Sequence, residues 1–223
     1  MTDRKTIRGA IFDVDGVLID SMFIWEGLGD RYLATQEKTA EPDLYEKLAN
    51  YTMEEGAAYM KERYGLADTP EKIKADCLAI IDSFYRYEVE AKPGAKEILA
   101  EFRELGIPMV IASSGDDELM EAALTRLGMW EYFRTAFTCT VLETSKREPL
   151  IYLTCAEYLG LDPGEIVVFE DVIHAVTTAK DAGFFTVGIR DASSEADRPA
   201  IMEKSDLYLD SLADRAALSP FLP

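Results

Sequence analysis

Asp13, Asp15, Ser113, Ser114, Lys146, Glu170 and Asp171 are the residues whose types and spacing suggest chemistry, because they follow short apolar runs, Lys146 in the loop after the third. Two or three carboxylates in one crevice repel one another unless a hard cation shares them. Mg²⁺ takes oxygen ligands octahedrally and completes its shell with water and phosphate. Asp13 and Asp171 can supply carboxylates to such an ion, Asp15 a main-chain carbonyl, and Glu170 a contact through bound water. Charge neutralisation then lets a phosphate approach a carboxylate nucleophile, for which Asp13 is the candidate. Asp15, two residues further along an extended run, is expected on the same side as Asp13. There it would protonate the leaving oxygen and later activate water. Ser113 and the amide of Ser114 can hold phosphoryl oxygens, and Lys146 adds a point charge. The chemistry implied is Mg²⁺-dependent phosphoryl transfer, which needs chiefly positioning and charge neutralisation.

Taken singly, each signal has a plainer explanation. Asp13-Val14-Asp15-Gly16 can be a turn with a capping Asp. Ser113-Ser114-Gly115 can cap a helix. Lys146-Arg147 can be a solvated pair, and Glu170-Asp171 can favour a helix macrodipole. Their joint order along the chain is what points to a site.

The elements that must bring them together alternate in type. Residues 7–14 read as a buried strand, rich in branched and aromatic side chains. Residues 95–105 read as an amphipathic helix, 108–112 as a strand, and 116–127 as a helix ended by Gly128. Residues 135–138 read as a strand, 149–159 as a helix ended by Gly160, and 166–169 as a strand. A helix to Ala182 and a strand over 186–189 complete the series. Such alternation predicts an α/β class fold: a Rossmann-like parallel sheet with helices on both faces. Ligands of such sheets sit at the carboxyl ends of the strands, where the polar residues fall. Residues 21–87 read as helical, with breaks near Pro42, Gly65 and Pro70. That stretch is too long for a crossover and is expected to be an inserted all-helical cap. The expected division is a core of residues 1–18 and 94–223 and a cap of residues 19–93.

Composition narrows the partners. The 223 residues are 48% hydrophobic, enough for one core with a small accessory domain. The formal net charge of −19 disfavours nucleic acid and anionic membrane surfaces. It leaves room for a small anionic substrate in a cleft whose local field is reversed. Cys77, Cys139 and Cys155 are widely spaced and form no CxxC pair. With a single histidine, His174, they suggest free buried thiols in a reducing compartment. The first residues carry no signal-like apolar run, and a cytoplasmic protein, monomer or homodimer, is the expectation.

The motifs also carry a resemblance. Phe12-Asp13-Val14-Asp15-Gly16-Val17-Leu18-Ile19-Asp20-Ser21, Ile111-Ala112-Ser113-Ser114, Lys146 with Pro149, and Val168-Phe169-Glu170-Asp171 resemble the haloacid-dehalogenase-like hydrolases. Within them the chain is similar to phosphatases and mutases with a helical cap after the first motif. The resemblance implies Asp13 as nucleophile, Asp15 as general acid/base, Ser113 and Lys146 as phosphate ligands and Asp171 as a Mg²⁺ ligand. Arg147 and Leu150 stand where the family usually has Pro and Asp, and Val172 and Ala175 where Ser and Gly are common. Asp15 argues against carbon–halogen cleavage. A cap histidine of the β-phosphoglucomutase-like members has no counterpart near Trp25, which favours hydrolysis over mutase activity. A cap pocket could draw on Trp25, Tyr32, Tyr51, Met53 and Tyr59, though such a set more often packs the cap itself. The substrate expected by analogy is a small, sugar phosphate-like metabolite. A phospho-acceptor module and a non-catalytic phosphate-binding protein are the other readings.

Overall fold

A computed structural model describes residues 6–49 and 51–223. Among them are eight strands: β1 (Gly9–Phe12), β2 (Ile19–Asp20), β3 (Glu90–Ala91), β4 (Met109–Ser113), β5 (Phe133–Thr138), β6 (Ile166–Glu170), β7 (Phe185–Ile189) and β8 (Leu207–Leu209). The α-helices are α1 (Phe23–Thr35), α2 (Leu44–Leu48), α3 (Met53–Tyr64), α4 (Pro70–Ser83), α5 (Ala95–Glu104), α6 (Asp117–Arg126), α7 (Leu150–Leu159), α8 (Ile173–Asp181) and α9 (Arg198–Lys204).

Six strands form one parallel sheet in the order β5-β4-β1-β6-β7-β8. The chain winds outward from β1 through β4 to β5, then crosses back to β6 on the other side of β1. The strand order therefore reverses at β1, which opens a crevice at the carboxyl end of the sheet. β1, β4 and β6 are buried along their whole length. Their continuous apolar runs fit a sheet covered by helices on both faces. α7 packs on β1, β4 and β5, and α8 packs on β6 and β7. Phe12 stacks on Phe169 with ring centroids 4.3 Å apart, locking the two central strands just below the crevice.

The chain divides into two compact units, one up to Ser21 together with Val89–Pro223, the other Met22–Glu88. The second unit is helical, and local chemistry sets its boundaries. Thr52 and Glu55 form a reciprocal capping box at the start of α3, and Gly65 ends that helix at φ 61°. Thr69 caps α4, whose first residue is Pro70. A π-helical turn, Phe84–Glu88, closes the unit. No described helix is long and apolar enough to cross a membrane.

Two features differ from the sequence expectation. β1 stops at Phe12, so Asp13 and Asp15 lie on the turn beyond it and two-residue strand periodicity does not orient Asp15. The segments on either side of the helical unit pair as a small antiparallel ribbon of β2 and β3.

Candidate active site

Each candidate residue sits at the carboxyl end of a strand. Asp13 follows β1, Ser113 ends β4, Lys146 lies in the loop after β5, and Glu170 ends β6 with Asp171 beside it. The turn after β1 is compact. The Val14 carbonyl accepts from the amides of Val17, Leu18 and Ile19 at 3.3, 2.9 and 3.1 Å. Gly16 has a φ of 79°, and a Cβ there would lie 2.4 Å from Asp171 Oδ2. Only glycine fits both the left-handed backbone and the approach of that carboxylate.

The cluster at the centre is buried and acidic. Carboxylate oxygens of Asp13, Glu170 and Asp171 lie within 4.8 Å of one another. Lys146 Nζ is 2.5 Å from Asp13 Oδ1 and 2.8 Å from Glu170 Oε1, with 4% of the lysine side chain exposed. Burial alone would depress the lysine, but Asp13 and Glu170 outweigh it and hold the ammonium above its ordinary range. The solvated-pair alternative therefore applies to Arg147, which is exposed, and not to Lys146.

The lysine neutralises only part of the cluster. Burial and the neighbouring charge of Asp13 push Glu170 up to about 7, although Lys146 opposes the shift. Burial, then Asp13 and Glu170, push Asp171 well above the ordinary carboxylate range. Glu170 Oε2 and Asp171 Oδ2 are buried without a hydrogen-bond partner. Three converging carboxylates, two of them with an unpartnered oxygen, are a donor set that fits a hard divalent cation.

The second half of the crevice lies toward β4. Ser21 Oγ donates to Asp15 Oδ1 at 2.6 Å. The Asp15 Oδ2 atom lies 2.9 Å from where a Cβ on Gly115 would be, and Ser113 Oγ lies 3.3 Å from the same point. Asp15 thus faces the Ser113–Gly115 loop, while its carboxylate stays outside the central acidic cluster. Ser113 is fully buried, and its hydroxyl accepts from the Gly115 amide at 2.9 Å. The Ser114 hydroxyl donates to Cys139 Sγ at 3.4 Å.

The helix-cap alternatives do not account for these residues. α6 is capped by Asp116, whose side chain accepts from the amides of Glu118 and Leu119. α8 has Val172 at its cap position and no acidic residue in its first turn, so Glu170 and Asp171 lie outside the turn where a macrodipole acts most strongly. His174 is the second residue of α8 and half-buried. Burial, then Arg147 and Lys146, hold its pKa below the usual value. Cys77, Cys139 and Cys155 are buried free thiols. In the helical unit, Trp25, Tyr51 and Met53 line a largely apolar cavity of about 170 Å³. Tyr32 is fully buried, and Tyr59 packs edge-on against Tyr51.

Tyr152, Lys92 and Asp191 also support the site with no local pattern in the sequence to mark them, and Ser21, which closes the first motif, gains its role only from its bond to Asp15. Tyr152, on α7, reads as an ordinary core aromatic. Its hydroxyl donates to Glu170 Oε1 at 2.7 Å inside the core. The phenol, raised by burial and by Glu170, stays a neutral donor. Tyr152→Phe should cost about 1.5–3 kcal/mol, the usual contribution of a hydrogen bond to a charged group. Denaturant unfolding of the metal-free protein checks this, and an unchanged midpoint would remove Tyr152 from the support of Glu170.

Comparison with known proteins adds a family to this geometry. A family model described as haloacid dehalogenase-like hydrolase matches residues 7–183. Hexitol phosphatase A of Escherichia coli is 31% identical over 212 residues, covering 92% of this chain and 91% of its own. Validoxylamine A 7'-phosphate phosphatase of Streptomyces hygroscopicus subsp. limoneus is 27% identical over 221 residues, covering 92% and 94%. A Thermotoga maritima structure with a provisional β-phosphoglucomutase assignment superposes with a TM-score of 0.85 at 24% identity. It covers 97% of this chain and 100% of its own, which is a likeness of fold.

Proposed function

The chain belongs to the haloacid dehalogenase-like hydrolases, and from that premise we propose that it hydrolyses a small phosphorylated metabolite, of sugar phosphate type, by way of Asp13. The observation that carries this reading is the buried cluster in which Lys146 bridges Asp13 and Glu170 while Asp171 keeps an unpartnered oxygen. A structural ion pair would need one carboxylate for that lysine, whereas here three converge. The named phosphatases among the relatives support the same direction.

In the proposed reaction an Asp13 carboxylate oxygen attacks phosphorus in line with the ester oxygen, which leaves as the P–O bond breaks. Asp15, facing the Ser113–Gly115 loop, acts as the general acid and gives a proton to the departing alkoxide. The resulting aspartyl phosphate is then hydrolysed by water, whose proton returns to the Asp15 carboxylate, so that phosphate and the free enzyme result. Ser113 and the Ser114 amide orient phosphoryl oxygens, and Lys146 balances charge on Asp13 and the phosphoryl group. Mg²⁺, held by Asp13, Asp171 and the Asp15 carbonyl with Glu170 behind them, would supply the charge neutralisation that lets two anions meet.

The test is phosphate release from a panel of phosphorylated metabolites by the purified protein with Mg²⁺. At least one sugar phosphate should give inorganic phosphate, and EDTA should stop it reversibly. Isomerisation without phosphate release would convert the assignment to a mutase, and no turnover of any ester would end it.

A further inference from the structure

Lys92 follows β3 directly, where the chain re-enters the α/β unit. Its main-chain N–H donates to the Leu18 carbonyl at 2.9 Å. Its ammonium donates to the Gly16 carbonyl at 2.6 Å, the Arg190 carbonyl at 2.8 Å and Asp191 Oδ2 at 2.7 Å. An ammonium has three protons, so each has its acceptor and none remains for a ligand. The Lys92 and Asp191 side chains are 14% and 4% exposed, a depth at which lysine is uncommon without such partners.

Asp191 is equally committed. Its other oxygen accepts from the amide and hydroxyl of Ser193 at 3.0 and 2.6 Å. Burial by itself would raise this carboxyl, but the Lys92 and Ser193 hydrogen bonds hold it below its ordinary range. Gly16 is packed between two carboxylates. The point where its Cβ would stand is 2.4 Å from Asp171 Oδ2 and 3.4 Å from Asp191 Cγ. Lys92 therefore holds both ends of the short stretch from Gly16 to Leu18, one by its side chain and one by its backbone.

We propose that Lys92 is a positioning residue for the phosphoryl transfer, holding the turn of residues 13–18 so that Asp15 faces Ser113 while Gly16 leaves room for Asp171. The catalytic part of this inference rests on the phosphatase reading; the structural part does not. A small displacement of that turn would move Asp13 and Asp15 together, and errors of about 1 Å in such groups cost on the order of 100-fold in rate.

Two variants and two readouts test it. Lys92→Met leaves Asp191 buried without its cation and should lower the melting temperature clearly. Adding Asp191→Asn removes the stranded charge and should return most of that loss. In the double variant kcat on the best wild-type ester should stay about 100-fold down, with KM within about threefold. In the metal-free double variant the amides of Val17, Leu18 and Ile19 should exchange at least about tenfold faster than in wild type, while the β4 amides do not change. Recovery of kcat along with melting temperature would reduce Lys92 to a charge partner of Asp191. Wild-type exchange at the turn would overturn the proposal outright. Should the wild-type protein hydrolyse no ester, the functional reading falls and the exchange comparison decides the role of Lys92 alone.

Discussion

Asp13→Asn is expected to lower kcat by at least about 10⁴-fold, as loss of a nucleophile commonly does, with the fold intact. The amide is nearly isosteric with the carboxylate but is a poor nucleophile toward phosphorus. Its oxygen can still accept from Lys146, which now sits 2.5 Å from Asp13 Oδ1, and Glu170 remains as the charged partner of that lysine. Removing one of three crowded carboxylates also relieves Glu170, whose pKa Asp13 helps to raise. The melting temperature should therefore stay level or rise. Initial rates on the best ester and thermal unfolding of the same preparation measure both halves. Retention of more than about 1% of wild-type kcat would exclude Asp13 as the nucleophile.

Asp171→Asn should show opposite effects on stability and on activity. In the metal-free protein Asp171 is buried, repelled by Asp13 and Glu170, and left with an unpartnered oxygen. Its folded-state pKa lies above its unfolded value, so between the two values the folded state binds the extra proton. Stability contributed by that proton is present at acid pH and is lost as pH rises through the folded pKa. Asn carries no such penalty. In EDTA at pH 8 the variant should be about 1–3 kcal/mol more stable than wild type, the usual cost of an uncompensated buried polar group, and the advantage should shrink toward pH 4. Saturating Mg²⁺ should reverse the order, because only wild type gains binding free energy from the full ligand set. Activity should fall at least about 100-fold, since a shared cation is worth several kcal/mol of transition-state stabilisation. Equal Mg²⁺-induced shifts in melting temperature for both proteins would show that Asp171 does not hold the ion.

The parts legible in the sequence share a physical cause. Central strands of a covered parallel sheet must be apolar throughout, so Asp13, Ser113 and Glu170 stand out because an apolar run stops at them while burial continues. Their convergence follows from strand direction alone. Legibility ended where a residue's role depends on partners far away in sequence. Tyr152 looks like any aromatic on an apolar helix, and nothing local announces the hydroxyl contact to Glu170 eighteen residues on. Lys92 reads as punctuation before Pro93-Gly94, yet its acceptors come from the turn after β1 and the end of β7. β8 is three residues long and only partly buried, too brief for a period to register. The expected boundaries at residues 18 and 94 differ from the compact units at Ser21 and Val89, because the flanking residues pair with each other as β2 and β3.

That pairing changes how the helical unit is joined to the rest. Ile19 lies opposite Ala91 and Asp20 opposite Glu90, so the chain departs and returns through neighbouring residues. Topologically the helices occupy the place of the tip in a β-hairpin. Closing such a loop carries an entropy that grows only logarithmically with its length, so the sheet is nearly indifferent to how much chain is housed there. The junction works as a socket: the inserted module can be lengthened, shortened or exchanged over evolution while the register of the six-stranded sheet stays as it is.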